Sequence, residues 1–521
     1  MSRAVEITVI GSGLGGLMAA ALLAKRGFSV AVFERSDHFG GAASTYRRAG
    51  LTIEASLHET EDPRVPGDPN RRHLAELGVL DDLPLVDVPA LYEVRGGPVG
   101  DPFTLPHSFE AAREAIASRF PAAARGADKV LGEMAGIARA METAGSGAGT
   151  AGRIASLPRM TRDLWPIVKG WNATLSDVFG RTLDGNEDAK FALGANLPYY
   201  DDNPAQLWWP FFAVAQSGYL AHGGKYISGG SQTLTDRLVD AIRANGGTVH
   251  AGRPVTEIRI GDDGRARGIV HTAADGSDST EAPAAVVLAN AAPTVVAGML
   301  PAEARSRFID GYRGRALSIS LFSAHFGLSR RPAELGVSSY STVLLPDWIR
   351  RFDNMADCAG LLGAEPAEAL PALVMVDYSA IEAGHSSEPP HLVSVVGVDR
   401  LSNWDGLEPS AYDARRDAWI EAIETAIDSR FPGFAAAITS RQMATASTLS
   451  RALNAPGGAL YGFAPVPPET PIWKGYPRSP DTPVPGLLLA SAYAGSGGFT
   501  GALAAGGSAA ERVTRNPTGS R

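Results

Sequence analysis

Three glycines and one acid carry the clearest chemistry in this chain of 521 residues. Gly11, Gly13 and Gly16 form GxGxxG within VIGSGLGGL, and Glu34 follows 23 positions after Gly11. The first glycine lets the chain turn sharply, the second lets the backbone approach a pyrophosphate, and the third lets helix and strand pack closely. A helix that starts there offers unpaired N–H groups to phosphates. Glu34, at the end of the next strand, can accept hydrogen bonds from ribose hydroxyls. The chemistry is dinucleotide binding, with NAD and FAD both open. Gly147, Gly149 and Gly152 repeat the spacing inside METAGSGAGTAG, but no strand precedes them and no acid-ended strand follows, so the tract reads as a loop or lid segment.

Other chemistry-bearing residues each have a plain structural alternative. His58 can act as an acid or base, orient a cofactor loop, or sit as a satisfied structural histidine. Tyr199, Tyr200, Trp208, Trp209, Phe211, Phe212 and Tyr219 fall in LPYYDDNPAQLWWPFFAVAQSGY and suit either a channel wall for an apolar molecule or ordinary core. His58, Tyr199 and Tyr200 are the candidates for catalysis. Trp165, Val168, Trp171 and Leu175 recur near helical spacing, as a membrane-dipping surface helix or, given Lys169 as the one cation of LWPIVKGWNATL, as a buried helix. Cys358 is the single cysteine, which excludes an intrachain disulfide and a cysteine-rich metal site. No metal cluster or Ser/His/Asp arrangement is identifiable.

The elements that must position these residues start with a βαβ unit: strand 6–10, helix 17–26 and strand 28–33. SQTLTDRLVDAIRAN predicts a helix over 231–245, and strands are expected at 248–250, 255–260, 266–272 and 285–289 as an antiparallel meander. Segments 51–224 and 301–442 have a different, mixed character, with a long helix expected over 410–431. No fixed-period repeat is visible.

Composition narrows the class. Hydrophobic residues at 45% and charged residues at 20% describe a globular chain. A net charge of −9 without a basic run argues against nucleic acid. The N-terminus enters a strand within a few residues, so no export signal is expected and a cytoplasmic setting fits. The uncharged stretches 7–24 and 486–510 are broken by glycines and read as strand–turn–helix units rather than membrane spans.

Gly40 and Gly41 extend the motif to GxGxxG, then ExxxxxGG, then AASTYRRAGLTIEASLH. GKYISGGSQTLTDRLVDAIRANGGTVHAGRPVTEIRI, AAVVLANAAPTVVAGML and PGLLLASAYAGSGGFTGALAAGGSAAERV follow in order. This ordered set resembles the flavin amine oxidase superfamily, and within it the phytoene desaturase, carotenoid isomerase and retinol saturase branch. Where related enzymes show a glycine before the histidine, this chain has Ala55-Ser56-Leu57-His58.

The resemblance implies FAD as cofactor and an α/β fold, with a Rossmann-type (GR2-like) FAD-binding domain over 1–60, 225–300 and 443–521 and an interleaved α+β substrate domain over 61–224 and 301–442. It implies that Gly11, Gly13, Leu14, Gly15, Gly16, Glu34 and Arg35 hold the ADP half, that Gly40, Gly41, Ala42 and Ser44 line the pyrophosphate and flavin edge, and that Val255 meets the adenine through its backbone. Gly498, Phe499 and Thr500 would open a last helix whose N–H groups face the flavin, with Ala502, Leu503 and Ala510 turned to the core. The expected activity is oxidation, reduction or isomerisation at C–C and C=C bonds of an apolar polyene or isoprenoid substrate. The electron donor or acceptor is unspecified and peripheral membrane contact is left open. Two rival readings share the fold: a flavin amine oxidase acting on a C–N bond, and a non-catalytic isoprenoid carrier.

Overall fold

The computed structural model describes residues 6–516 except 49, 57, 146–149 and 368, with backbone alone for 150–155. Ile7–Ile10 is buried on both faces, so its alternation shows in packing rather than in hydropathy. Ile7 and Val9 pack with the helices Leu14–Lys25, Gln232–Ala244 and Gly498–Arg515, while Ile10 joins the opposite layer. The next strand, Val30–Phe33, divides likewise: Val30 and Val32 face the helices, Ala31 and Phe33 face away.

Five parallel strands form this sheet, in the order Leu487–Leu489, Val286–Ala289, Ile7–Ile10, Val30–Phe33, Thr248–His250. Val255–Ile260, Ala266–His271 and Thr280–Pro283 make an antiparallel meander over its other face. The expected four-stranded meander is therefore corrected. Thr248–His250 and Val286–Ala289 belong to the parallel sheet, and the meander is the crossover that parallel strands require between them. Thr280–Pro283, largely exposed and with little alternation, supplies the third meander strand.

A second sheet of seven strands runs Ile438–Ala444, Ser320–Leu328, His391–Asp399, Leu373–Asp377, Ser341–Leu345, Tyr92–Gly96, Gly100–Leu105. Helices between 109 and 222 cover one face, and Pro409–Arg430 covers the other. The aromatic stretch divides here. Trp209 and Phe212 are fully buried core, while Tyr199, Tyr200 and Tyr219 keep accessible surface.

Two helical expectations are also corrected. Met141–Gly152 is not one loop: Ala124–Gly145 runs into it and Thr150–Lys169 leaves it, with Gly147 and Gly149 outside the described residues. Trp165, Val168, Trp171 and Leu175 do not share a helix. The first ends at Lys169, and Leu175–Leu183 starts anew on a Thr174 capping box. Leu175 is buried, but Trp165 and Val168 are 58% and 40% exposed, because the helix packs on Ala124–Gly145 through its other side, where Asp163 meets Gly136.

The first and last helices cross where neither has a side chain. A Cβ on Gly506 would collide with the Gly15 carbonyl oxygen, and one on Gly15 with the Ala490 carbonyl oxygen. Backbone cannot yield as a flexible side chain can. Gly506→Ala should lower stability by about 1–3 kcal/mol, read from the urea midpoint.

Candidate functional site

Gly11 takes φ +87°, a left-handed turn that glycine adopts freely, directly after Ile10. Asn290, just past Val286–Ala289, fills the space beneath the turn: a Cβ on Gly13 would lie 2.6 Å from its Nδ2 and one on Gly16 2.9 Å from its Cβ. The helix Leu14–Lys25 then begins on Gly13 with no capping side chain and no acid in its first turn, leaving the N–H groups of Leu14, Gly15 and Gly16 for an anion.

Glu34 is buried and accepts from the Ser12 N–H and hydroxyl, both at 2.8 Å, and from the Ser36 N–H at 2.9 Å. Its backbone draws in the loop before Val255: the Glu34 N–H donates to His250 O, and Arg253 N–H donates to Glu34 O. Val255 thus starts its strand beside the acid. Arg35 turns outward and its guanidinium donates to the carbonyls of Arg451 and Ala452, so only its backbone remains toward the cradle. Gly40 donates to Ser12 O, Gly41 lies over Gly13, and Ala42 and Ser44 are tied to the following hairpin through Ser56 Oγ and Ala55 N.

The last helix, Gly498–Arg515, also starts without a side-chain cap or an early acid. Leu503 and Ala510 are buried, and Thr500 O receives the Asn70 amide. A Cβ on Gly497 would collide with Tyr461, so Tyr461 stands against this helix start. Two uncapped helix starts, with glycines where a Cβ would fill the space, fit a dinucleotide whose second half is a flavin.

Glu54 ties this region to the catalytic candidates. It is 1% exposed and accepts from Thr45 Oγ1, Ser56 N, Ser231 N and Ser231 Oγ at 2.7–3.0 Å. Beyond it the chain passes His58 and pairs Thr60 with Lys225. His58 Nδ1 lies 2.7 Å from the Tyr199 hydroxyl, and its carbonyl accepts from Tyr340. Burial pushes the imidazole down to about 4, so it is neutral near pH 7. Burial likewise raises the Tyr199 and Tyr200 phenols well above their ordinary range. Tyr200 donates to Gln216 Oε1 at 3.3 Å, within a reciprocal amide pair with Asn196.

Glu59, Glu61 and Tyr461 keep some accessible surface, as Tyr199, Tyr200 and Tyr219 do, and Glu59 and Tyr461 act electrostatically on Tyr199 and Tyr200, which groups them in one partly enclosed region. Sequence reasoning missed these three residues and Asn290. HETED reads as a solvated acidic run, Tyr461 lies far from any motif, and Asn290 sits inside a recognised segment without a distinguishing pattern. Burial raises Glu59 and Glu61 each to about 8. Cys358 is buried in Phe352–Gly363 and burial raises it to about 12, which leaves it a thiol. No group of His, Cys, Asp or Glu suited to a metal ion occurs among the described residues.

Residues 14–514 match the family model for flavin containing amine oxidoreductases. The neurosporene-forming phytoene desaturase of Rhodobacter capsulatus is 26% identical over 520 residues, covering 94% of this chain and 90% of its own. The all-trans-retinol 13,14-reductase of Homo sapiens is 24% identical over 488 residues, covering 88% and 77%. Among solved structures, cyclohexylamine oxidase from Brevibacterium oxydans IH-35A superposes with TM-score 0.58 at 16% identity, covering 99% of this chain and all of that one, a likeness of fold alone.

The buried acids set a pH dependence. An unfolded chain releases each proton near 4.5 and the folded chain holds it to about 8. The folded state therefore binds more protons across that window, and stability falls as pH rises through it, by up to about 1.4 kcal/mol per unit for each acid. Glu59→Gln and Glu61→Gln should each flatten the decline in urea-unfolding free energy between pH 5 and 8. Parallel slopes in wild type and variants would contradict it.

Proposed function

Because the chain belongs to the flavin-containing amine oxidoreductase family and is an FAD-dependent oxidoreductase, we propose that it acts on C–C or C=C bonds of an apolar polyene or isoprenoid substrate, by desaturation, saturation or cis–trans isomerisation. The observation that carries this reading is the similarity to phytoene desaturase along nearly the whole of both chains. The partly enclosed cluster of Tyr199, Tyr200, Tyr219 and Tyr461 is compatible with it, since tyrosine rings suit contact with a long apolar molecule. The amine oxidase alternative rests on fold likeness alone, and the carrier alternative does not explain the intact glycine cradle.

In this reading the FAD-binding residues are Gly11, Gly13, Leu14, Gly15, Gly16, Glu34, the Arg35 backbone, Gly40, Gly41, Ala42, Ser44, Val255, Gly498, Phe499 and Thr500, and the division into a cofactor domain and an interleaved substrate domain follows. Bound FAD supplies hydride exchange. The protein orients and shields: Glu34 steadies the glycine turn through Ser12, His58 holds the Tyr199 phenol through Nδ1, and the surrounding rings exclude water.

No helix among the described residues is long and apolar enough to cross a membrane. Peripheral contact with a lipid surface is proposed instead. Leu157, Trp165 and Val168 lie exposed on one helix face, and the Trp171 indole donates to Thr470 O, which brings the loop of Trp473, 82% exposed, to the same region.

Purified protein should show flavin absorption and release FAD on heating. Under anaerobic conditions polyenes should exchange electrons with the flavin while amines leave it unchanged, and reduction by amines alone would sink the polyene assignment. In a flotation assay, vesicles containing anionic lipid should carry the wild type, and Trp165→Ser with Trp473→Ser should remain at the bottom of the gradient.

A further inference from the structure

Of the six large apolar side chains that stand exposed among the described residues, five are joined by a short series of contacts: Leu157, Trp165, Val168, Leu317 and Trp473. The first three lie on the helix Thr150–Lys169. Just past it, Trp171 donates its indole N–H to Thr470 O at 2.8 Å and meets the Trp208 ring edge-on at 5.0 Å. Trp208 stacks on Tyr476 at 4.7 Å, Arg478 lies over the same tyrosine, and Arg315 acts on it electrostatically. Trp473 falls between Thr470 and Tyr476 on one loop, and Leu317 is two residues past Arg315. Along the helix, Leu157, Thr161, Trp165 and Val168 recur at steps of four, four and three, one exposed stripe about 16 Å long at 1.5 Å per residue.

The charges around these side chains do not balance. Arg139, Arg159 and Arg162 converge at 3.3–3.8 Å on the single carboxylate of Asp163, so guanidinium charge is left over. Lys169, at the end of the helix, shares Glu133 with Lys129 and Arg181. Arg315 and Arg478 meet aromatic rings rather than acids, Phe463 at 5.1 Å and Tyr476 at 4.7 Å, and neither they nor Lys474 form an ion pair among the described residues. Glu469 is the only acid in 465–478. A chain of net charge −9 is repelled as a whole by an anionic surface, so a local excess of cations decides which side can approach one.

We infer that this surface docks on an anionic lipid bilayer, its exposed tryptophans and aliphatic side chains entering the headgroup boundary while Arg159, Arg162, Arg315, Lys474 and Arg478 meet lipid phosphates. This rests on the peripheral contact proposed above and names the kind of bilayer and the charges that select it. A straight apolar stripe flanked by cations suits a flat, fluid surface, and tryptophan is favoured at the headgroup level. A second copy of the chain would set the same cations against these, and like charges brought together oppose association. A neutral bilayer would accept the apolar side chains but leave the surplus cations without counter-charge.

The test is flotation of the FAD-loaded protein with vesicles of phosphatidylcholine alone and of phosphatidylcholine mixed with phosphatidylglycerol. Each cation held near an anionic surface strengthens binding by about fivefold, so the wild type should bind the mixed vesicles about tenfold or more tighter. Added salt should shrink that difference. Lys474→Gln combined with Arg478→Gln, with FAD content confirming the fold, should lose about tenfold or more on the mixed vesicles and little on phosphatidylcholine. Equal binding of the wild type to both compositions, or a double variant that keeps the full preference, would overturn the selection by charge and leave peripheral contact standing. Self-association of the protein that Trp473→Ser abolishes would put a second copy on this face and overturn the inference as well. Absence of binding to either composition would overturn peripheral contact together with it.

Discussion

The side-chain-free crossing of the first and last helices is the constraint on which the rest depends. Gly15 and Gly506 bring two backbones together where no Cβ fits, and Ala490 closes the gap from the strand side. Both helices follow strands of one parallel sheet, so both begin at its carboxyl edge, and their crossing fixes the two uncapped N-termini relative to each other. A dinucleotide with a pyrophosphate at its centre and an electron-accepting ring at one end needs the two positive helix ends held at a set separation. A looser crossing would leave each helix able to bind an anion but unable to share one cofactor.

From that frame a single buried acid carries the geometry outward. Glu54 gathers Thr45, Ser56 and Ser231, which belong to the hairpin after the glycine turn and to the start of the helix Gln232–Ala244. The segment leaving it crosses toward the seven-stranded sheet through the Thr60–Lys225 bridge and delivers His58 against Tyr199. The chemistry of this region is thus suspended between the two sheets. Its acids differ by their neighbours: Glu34 and Glu54 are surrounded by donors, whereas burial raises Glu59 and Glu61.

The family match runs over residues 14–514 and so takes in both sheets. In the proposed reading the parallel sheet and its helices serve the cofactor, and the seven-stranded sheet with its helical cover shapes what reaches it. Different substrates can be accommodated by changing the second part while the first is kept.

What the sequence determined by itself is the cofactor half. GxGxxG, the acid at Glu34 and the glycine-rich start at 495–498 are local patterns whose physical demands, a left-handed turn, an uncapped helix start and a close approach, are met within a few residues of chain. The strands at 6–10 and 28–33 were legible as one βαβ unit, but the runs at 248–250 and 285–289 gave no hint of which sheet each would join. Thr248–His250 was therefore assigned to the meander and found beside Val30–Phe33. The partly enclosed region was decided by tertiary structure alone. Glu59 and Glu61 look like solvated acids in HETED, and Tyr461 looks like any loop tyrosine, because nothing local records that Gly224, Gly218 and Gly497, far along the chain, leave the space they occupy. Trp165 and Val168 make the converse point: their spacing left a membrane-facing surface and burial both open, and exposure followed because Asp163, on the other side of the same helix, meets the backbone of Gly136. Burial and charge state are properties of long-range neighbours, and those exist only once the chain has folded.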